Sequence, residues 1–204
     1  FSYEVSRALN AVEGAILLVD ATKGIQAQTL SNLRAARRAG LTIVGAVNKI
    51  DLKPPHVEKT MRSLAELLEI SESAILKVSG KTGEGVRELL DAVIHMVPPP
   101  HTSHNKETTA LIFDSLYDEH RGILAYIRLF GGEIKTNQEV YLSATRVKVK
   151  AKEIGGFFPQ LKSTPLLLAG EIGYLATGLK EPGLVKIGDT VIGCQNSDVG
   201  YQTS

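Results

Sequence analysis

Ile43-Val44-Gly45-Ala46-Val47-Asn48-Lys49-Ile50-Asp51 is the stretch that decides how the chain is read. The apolar run Ile43 to Val47 shows no alternation, which fits a strand buried on both faces, as in a parallel sheet. The polar N-K-x-D that follows falls at the strand's carboxyl end, where open α/β sheets place their ligands. Upstream, Ala15 to Val19 is a second run of the same kind. Between the two, Gln26 to Ala39 carries Leu30, Leu33, Ala36 and Arg37 at helical spacing, and Gly40 stops it. Downstream, Met61, Leu64, Leu67 and Leu68 form another helical stripe. Ala74 to Val78 reads as a third short strand, and Val86, Leu89, Leu90, Val93 and Val97 trace a last helix. Strands alternating with helices predict βαβ units with right-handed crossovers.

The texture changes near residue 100. Pro98-Pro99-Pro100 cannot continue a helix, and residues 98–107 read as a Pro-rich linker. Beyond it the period becomes two. Residues 110–113, 123–129, 140–142, 147–151 and 172–176 read as strands, punctuated by Gly131-Gly132, Asn137, Gly155-Gly156, Gly170 and Gly188-Asp189. No helix of useful length appears, so this half is expected to be a small antiparallel barrel. The predicted fold is therefore the α/β, doubly wound type over residues 1–97, followed by an antiparallel β-barrel over 108–195. A polar tail, 196–204, is expected to fray.

Composition narrows the functional classes. The 204 residues are 43% hydrophobic and 22% charged, enough apolar mass for a core. Lys and Arg number 23 against 22 Asp and Glu, so binding of nucleic acid by bulk charge is not indicated. The lone Cys194 excludes an intramolecular disulfide framework and a multi-cysteine zinc site, fits a reducing compartment, and reads as inert. No apolar run approaches a membrane span. The chain begins at Phe1 with a helical pattern already running, so it is expected to be a piece of something longer.

The chemistry of N-K-x-D suits guanine. The Asp51 carboxylate can accept from N1–H and from the exocyclic N2 amine; adenine offers neither donor there. The Asn48 amide can donate to the purine edge and tie neighbouring loops together. The alkyl stem of Lys49 can lie over the base. The bland alternative is a surface loop that happens to spell this string. Ser79-Gly80-Lys81, directly after the next predicted strand, adds to the first motif. Its backbone N–H groups can point at the guanine O6, and Lys81 can pack on the other side of the base. The alternative there is a helix-start turn with Ser79 or Thr82 as N-cap and Glu84 in the first turn. Gly80-Lys81-Thr82 imitates the end of a phosphate loop, but the required glycine five positions before Gly80 is Ile75. No G-x-x-x-x-G-K-[ST] occurs in these residues, so by themselves they are expected not to hydrolyse GTP.

At this point the sequence resembles the translational GTPases, most of all the LepA type, elongation factor 4. The resemblance runs through Phe1-Ser2-Tyr3-Glu4-Val5-Ser6-Arg7, Glu13-Gly14-Ala15, Val19-Asp20-Ala21, Gly24-Ile25-Gln26-Ala27-Gln28-Thr29 and Asn48-Lys49-Ile50-Asp51-Leu52. It continues through Ser79, Lys81-Thr82-Gly83, the triple proline, Ser115, Asp118, Gly122, Ile127-Arg128, Gly170-Glu171-Ile172-Gly173 and Gly188-Asp189-Thr190. The resemblance implies a Ras-like P-loop GTPase domain followed by the translation-factor barrel. It also implies binding of GTP or GDP with Mg2+, and GTP hydrolysis driven by the ribosome through rRNA and ribosomal proteins. Reverse translocation, translational fidelity or ribosome assembly is the implied task, in the cytoplasm or peripherally at the inner membrane face. Residues 1–11 would be the switch II helix; the D-x-x-G motif and the magnesium ligands of the family would lie before Phe1, and the later domains after the barrel. Two departures stand out. Gly80 replaces a frequent Ala, with a looser loop expected, and Asn137-Gln138 replaces Gly-Asp, with the turn expected to persist.

The other classes are an elongation factor G or TypA/BipA type protein and a non-catalytic ribosome- or RNA-binding module. With strands absent from the sheet's amino-terminal half, an exposed sheet edge or apolar face is expected. Arg146, Lys148, Lys150 and Lys152 alternate with Val147, Val149 and Ala151 as one basic face that could touch RNA phosphates, though lysines also protect strand edges. His101 and His104 have metal-like spacing without carboxylate or cysteine support, so solvated histidines are expected. Phe157 and Phe158 could form an exposed loop for a partner, but are expected in the barrel core.

Overall fold

The computed structural model describes residues 2–103 and 106–194. Phe1, His104 and the tail lie outside the described residues, and with them the expectations placed on His104 and on 196–204. The chain divides into two compact units, residues 1–99 and residues from Pro100 onward.

The first unit runs α1 (Ser2–Leu9), β1 (Gly14–Asp20), α2 (Ala27–Arg38), β2 (Thr42–Asn48), α3 (Val57–Leu68), β3 (Leu76–Val78) and α4 (Val86–Met96). Its sheet has order β1-β2-β3 and is parallel throughout. The unbroken apolar run of β2 is explained by burial from both sides. Val47 packs with Met61, Leu64 and Ala65 of α3, whereas Val44 and Ala46 pack with Leu89 of α4. Helices therefore cover both faces, the doubly wound arrangement expected. A wholly buried side chain such as Leu64 contributes about 1.5–3 kcal/mol. Gly45 lets α3 approach closely: a Cβ there would meet Leu68 and Ile75 at 2.7 and 2.8 Å.

Helix α2 ends as its sequence promised. Gly40, at φ 72°, donates to the Arg37 carbonyl, and Leu41 N–H reaches back to Ala36 at 3.1 Å. The strand expected over Ala74 to Val78 is shorter. Ala74 and Ile75 turn their amides back to Ser71 and Glu72, so Glu72–Ala74 forms a tight helical turn and only Leu76–Val78 pairs. Ala15 to Val19, expected to be buried on both faces like β2, is not: β1 lies at the sheet edge with Ile16 and Leu18 at 42% and 50% exposure, so the exposed apolar face expected of this sheet falls on that strand.

The second unit is antiparallel. It holds β4 (Thr109–Asp118), β5 (Gly122–Gly131), β6 (Glu133–Lys135), β7 (Glu139–Leu142), β8 (Val147–Lys150), β9 (Glu153–Phe158), β10 (Gln160–Ser163), β11 (Leu166–Leu168), β12 (Ile172–Ala176) and β13 (Thr190–Gly193). Eight strands pair in the order β10-β9-β12-β5-β4-β13-β7-β8, and β11 pairs with β6. Along β5, Ile123, Ala125, Ile127 and Leu129 point into one core shared with Ile134, Leu142, Ile154, Leu175 and Val191, which closes the unit as a barrel. The alternate residues Leu124 and Tyr126 join Tyr174 and Leu161 in a separate cluster on the other side. Among the described residues the barrel's only helix is the short turn Pro182–Leu184.

Gly155-Gly156, read as a turn, lies inside β9. A Cβ on Gly155 would come 2.1 Å from the Lys162 carbonyl oxygen and 2.7 Å from the Tyr174 ring, so glycine is there to let neighbours close in. The strand continues past it, and Phe157 and Phe158 are not core residues, being 38% and 65% exposed. Phe157 stands edge-on to Tyr126 at 5.0 Å, outside the barrel core. Asn137 does take the left-handed conformation, at φ 67°, in a turn closed by Gln138 N–H donating to Lys135.

The β4–β5 hairpin is held by Asp118, whose Oδ1 accepts from the amides of His120 and Arg121 and whose Oδ2 accepts from the Arg121 guanidinium at 2.8 Å. Arg121 above all holds this carboxyl down to about 2, from 3.8. The sign follows directly: a depressed native pKa contributes stability above the unfolded value and loses it as pH falls towards the native one. Acid unfolding of the wild type is therefore expected to steepen between about pH 4 and 2, and Asp118→Asn to flatten that limb, followed by circular dichroism. Gly45→Val is expected to lower the melting temperature by overpacking of about 1–3 kcal/mol.

Candidate functional site

The register of the parallel sheet builds the site. Asp20 pairs with Asn48 and Asn48 with Val78, so the three carboxyl ends are level and Asp20, Asn48 and Ser79 leave the sheet side by side. Lys49 then adopts φ 69°, a left-handed conformation costly for a residue with a Cβ, and a helical turn over Ile50–Leu52 returns Asp51 to the sheet end.

Asn48 joins the loops. Its Oδ1 accepts from the Lys49 amide at 2.8 Å and from the Gly80 amide at 3.0 Å. Ser79, fully buried, donates its hydroxyl to Asp51 Oδ1 at 2.7 Å and accepts from the Thr82 amide at 3.2 Å. The Ser79–Glu84 loop is closed by Ser79 N–H to Glu84 and Gly83 N–H to Ser79, both at 2.8 Å. The helix-start reading of Ser79 or Thr82 as N-cap is corrected: α4 begins at Val86 with Gly85 as its N-cap, at φ 70°. Gly85 is required because a Cβ there would lie 1.9 Å from the Lys77 carbonyl. The Ser79 hydroxyl accepts from the Thr82 amide within the loop and donates to Asp51. At Gly80 a Cβ would meet the Asn48 amide at 3.8 Å, ordinary contact, so the loop has room for the frequent alanine. Lys81 is exposed beyond it.

Asp20 and Thr22 belong to neither the N-K-x-D nor the Ser79-Gly80-Lys81 motif. Asp20 Oδ2 pairs with Lys49 Nζ at 2.7 Å, and Asp20 Oδ1 accepts from the Thr22 amide and hydroxyl at 2.8 and 2.6 Å. The Lys49 ammonium, and then Thr22, hold the Asp20 carboxyl well below the usual carboxylate range. The available signal was an acid at the end of an apolar run, followed by a threonine two residues on; only the register puts it beside Lys49.

In the second unit Arg146, Lys148, Lys150 and Lys152 are exposed while Val149 and Ala151 are buried. Lys148 is countered by Glu139 at 2.6 Å, which raises the pKa of its ammonium. His101 is exposed, and among the described residues no three His, Cys, Asp or Glu side chains cluster as metal ligands.

The profile described as Elongation factor Tu GTP binding domain matches residues 1–99. Proteins named Elongation factor 4 are similar over 94% of this chain: 48% identical in Bifidobacterium animalis subsp. lactis and 42% in Thermotoga maritima. The chain spans 30% and 31% of those relatives' lengths. Among solved structures, translation elongation factor SelB from Methanococcus maripaludis in its apo form superposes with a TM-score of 0.74 at 17% identity, over 91% of this chain and 40% of that one. A bacterial selenocysteine-specific elongation factor, EF-Sec, gives 0.71 at 21%, over 92% and 33%. The fold is thus that of a translation-factor GTPase domain followed by a β-barrel.

Asn48→Ala is expected to release both loops, costing about 1–3 kcal/mol for the amides left without their acceptor. Hydrogen exchange at the Gly80 amide is expected to accelerate well before the β2 amides do.

Proposed function

We propose that this chain, whose residues 1–99 match the Elongation factor Tu GTP binding domain and which is 48% identical over 94% of its length to a protein named Elongation factor 4, recognises guanine nucleotides as part of a ribosome-dependent GTPase. The observation that carries this reading is the pair of bonds joining the two loops, Asn48 to the Gly80 amide and Ser79 to Asp51. They hold one carboxylate and one set of backbone donors together at the carboxyl end of the sheet, in the order that guanine's donors and acceptor call for.

Asp51 keeps a carboxylate oxygen for N1–H while the other is braced by Ser79, and the exocyclic N2 amine completes the pair. Adenine would present an acceptor and no donor to that carboxylate. The Asn48 oxygen is committed to backbone amides, so its nitrogen is the atom that donates to the purine edge. The Ser79-Gly80 segment supplies N–H groups to O6. The stem of Lys49 forms one wall for the base and Lys81 the other. GTP and GDP are the ligands, with Mg2+ accompanying the phosphates. These 204 residues by themselves read the base and do not hydrolyse GTP, since they contain no G-x-x-x-x-G-K-[ST].

The ribosome is the partner, and the exposed face of Arg146, Lys148, Lys150 and Lys152 meets rRNA phosphates, with Lys148 partly spent on Glu139. The setting is the cytoplasm or, peripherally, the inner membrane face. The task is reverse translocation, translational fidelity or ribosome assembly. Asp51→Asn in the full-length gene product tests the reading. GTP affinity is expected to fall about ten- to a hundredfold, as for a lost charged hydrogen bond, with XTP gaining. Competition titration against both nucleotides reads this out, and unchanged preference for GTP rejects the assignment.

A further inference from the structure

We propose that Asp20 is a positioning residue for base binding: by holding the ammonium of Lys49 it fixes that side chain as the wall of the guanine slot on the β1 side. The inference rests on the reading of Lys49 as the residue that packs on the base.

Lys49 is constrained at both ends. Its amide is bonded to Asn48 Oδ1 at 2.8 Å and its backbone is left-handed at φ 69°. Its ammonium is bonded to Asp20 Oδ2 at 2.7 Å. The methylene chain is therefore drawn between two fixed points, whereas a lysine on an exposed loop ordinarily samples many rotamers. Direction matters as much as rigidity. β2 is the middle strand, with β1 on one side and β3 on the other. Asp20 ends β1, and Ser79-Gly80 follows β3. Asp20 thus draws Lys49 to the side opposite the Ser79-Gly80 loop and keeps the space between them clear for a planar base.

Asp20 is itself aimed. Thr22 occupies its Oδ1 with both amide and hydroxyl, which leaves Oδ2 to the lysine. A half-exposed ion pair contributes little to folding, about 0–1 kcal/mol, so its arrangement at this sheet edge is not accounted for by stability. Asparagine at position 20 would keep the size and the acceptor for Thr22 but lose the charge that holds Lys49.

The test is a double-mutant cycle on the full-length gene product, read by fluorescence titration with mant-GDP. Asp20→Asn is expected to weaken binding about three- to tenfold, and Lys49→Met, which keeps the stem but not the ammonium, by a similar factor. The double variant is expected to be no weaker than either single one, and Asp20→Glu to recover most of the affinity. A merely structural role would lower affinity additively in the Lys49→Met background; that result, or an unchanged Asp20→Asn, overturns the proposal. Should Asp20→Asn fail to fold, Lys49→Met decides: unchanged mant-GDP affinity would show that the ammonium, and with it the tie to Asp20, does not set the wall of the slot, and overturns the proposal. Failure of the base reading shows separately, as loss of the Asp51→Asn switch to XTP or as no mant-GDP binding by the unaltered protein.

Discussion

A single side-chain oxygen, Asn48 Oδ1, accepts from two amides that belong to different loops, those of Lys49 and Gly80. The first bond steadies a left-handed residue that would otherwise be unfavourable, and the second ties the loop after β3 to the end of β2. Ser79 and Asp51 add a parallel tie 2.7 Å long. These ties need strand ends that are level, and the Asp20–Asn48–Val78 register makes them so. The Lys49 bond is local, but without that register the Gly80 amide would not find the asparagine, and the base-reading groups would belong to independent loops.

The register depends in turn on packing at β2. A strand covered by α3 on one face and α4 on the other has no solvent side to slip towards, because a one-residue shift would exchange the side chains buried under the two helices. Gly45 and Gly85 set how near the neighbours come: the first admits side chains of α3, the second lets the turn before α4 lie against the Lys77 carbonyl. Close approach of backbone to backbone is the same device that places Gly155 within β9 of the barrel.

Charge is deployed locally. Net charge is only +1, yet Asp20 and Lys49 pair at the sheet edge and Arg121 links Asp118 and Glu153 on the barrel. Each pair fixes a local geometry, a lysine stem in one case and a hairpin in the other, more than it adds to global stability. The exposed Phe157 and Phe158 show the converse. Hydrophobicity alone would send both rings inward, but the alternation set by Ile154 in the core puts Phe157 on the other face, against Tyr126.

The sequence by itself determined the order of strands and helices in the first unit, the change to period two after the prolines, and the N-K-x-D and Ser79-Gly80 loops. These signals are local: burial periodicity, helix stops at glycine and short-range turn chemistry are written in neighbouring residues. Asn137 kept its turn for the same reason. What tertiary structure decided is whatever depends on residues distant in sequence. Gly155-Gly156 looked like a turn because single-sequence reading cannot see Lys162 and Tyr174 closing on it. The tie from the Ser79 hydroxyl to Asp51 is invisible in the sequence because the two lie 28 residues apart. Asp20 drew no role because nothing near it in the chain shows that register will bring Lys49 within 2.7 Å. Local physics writes the elements into the sequence, while the partners of polar side chains are chosen only when strands align in space.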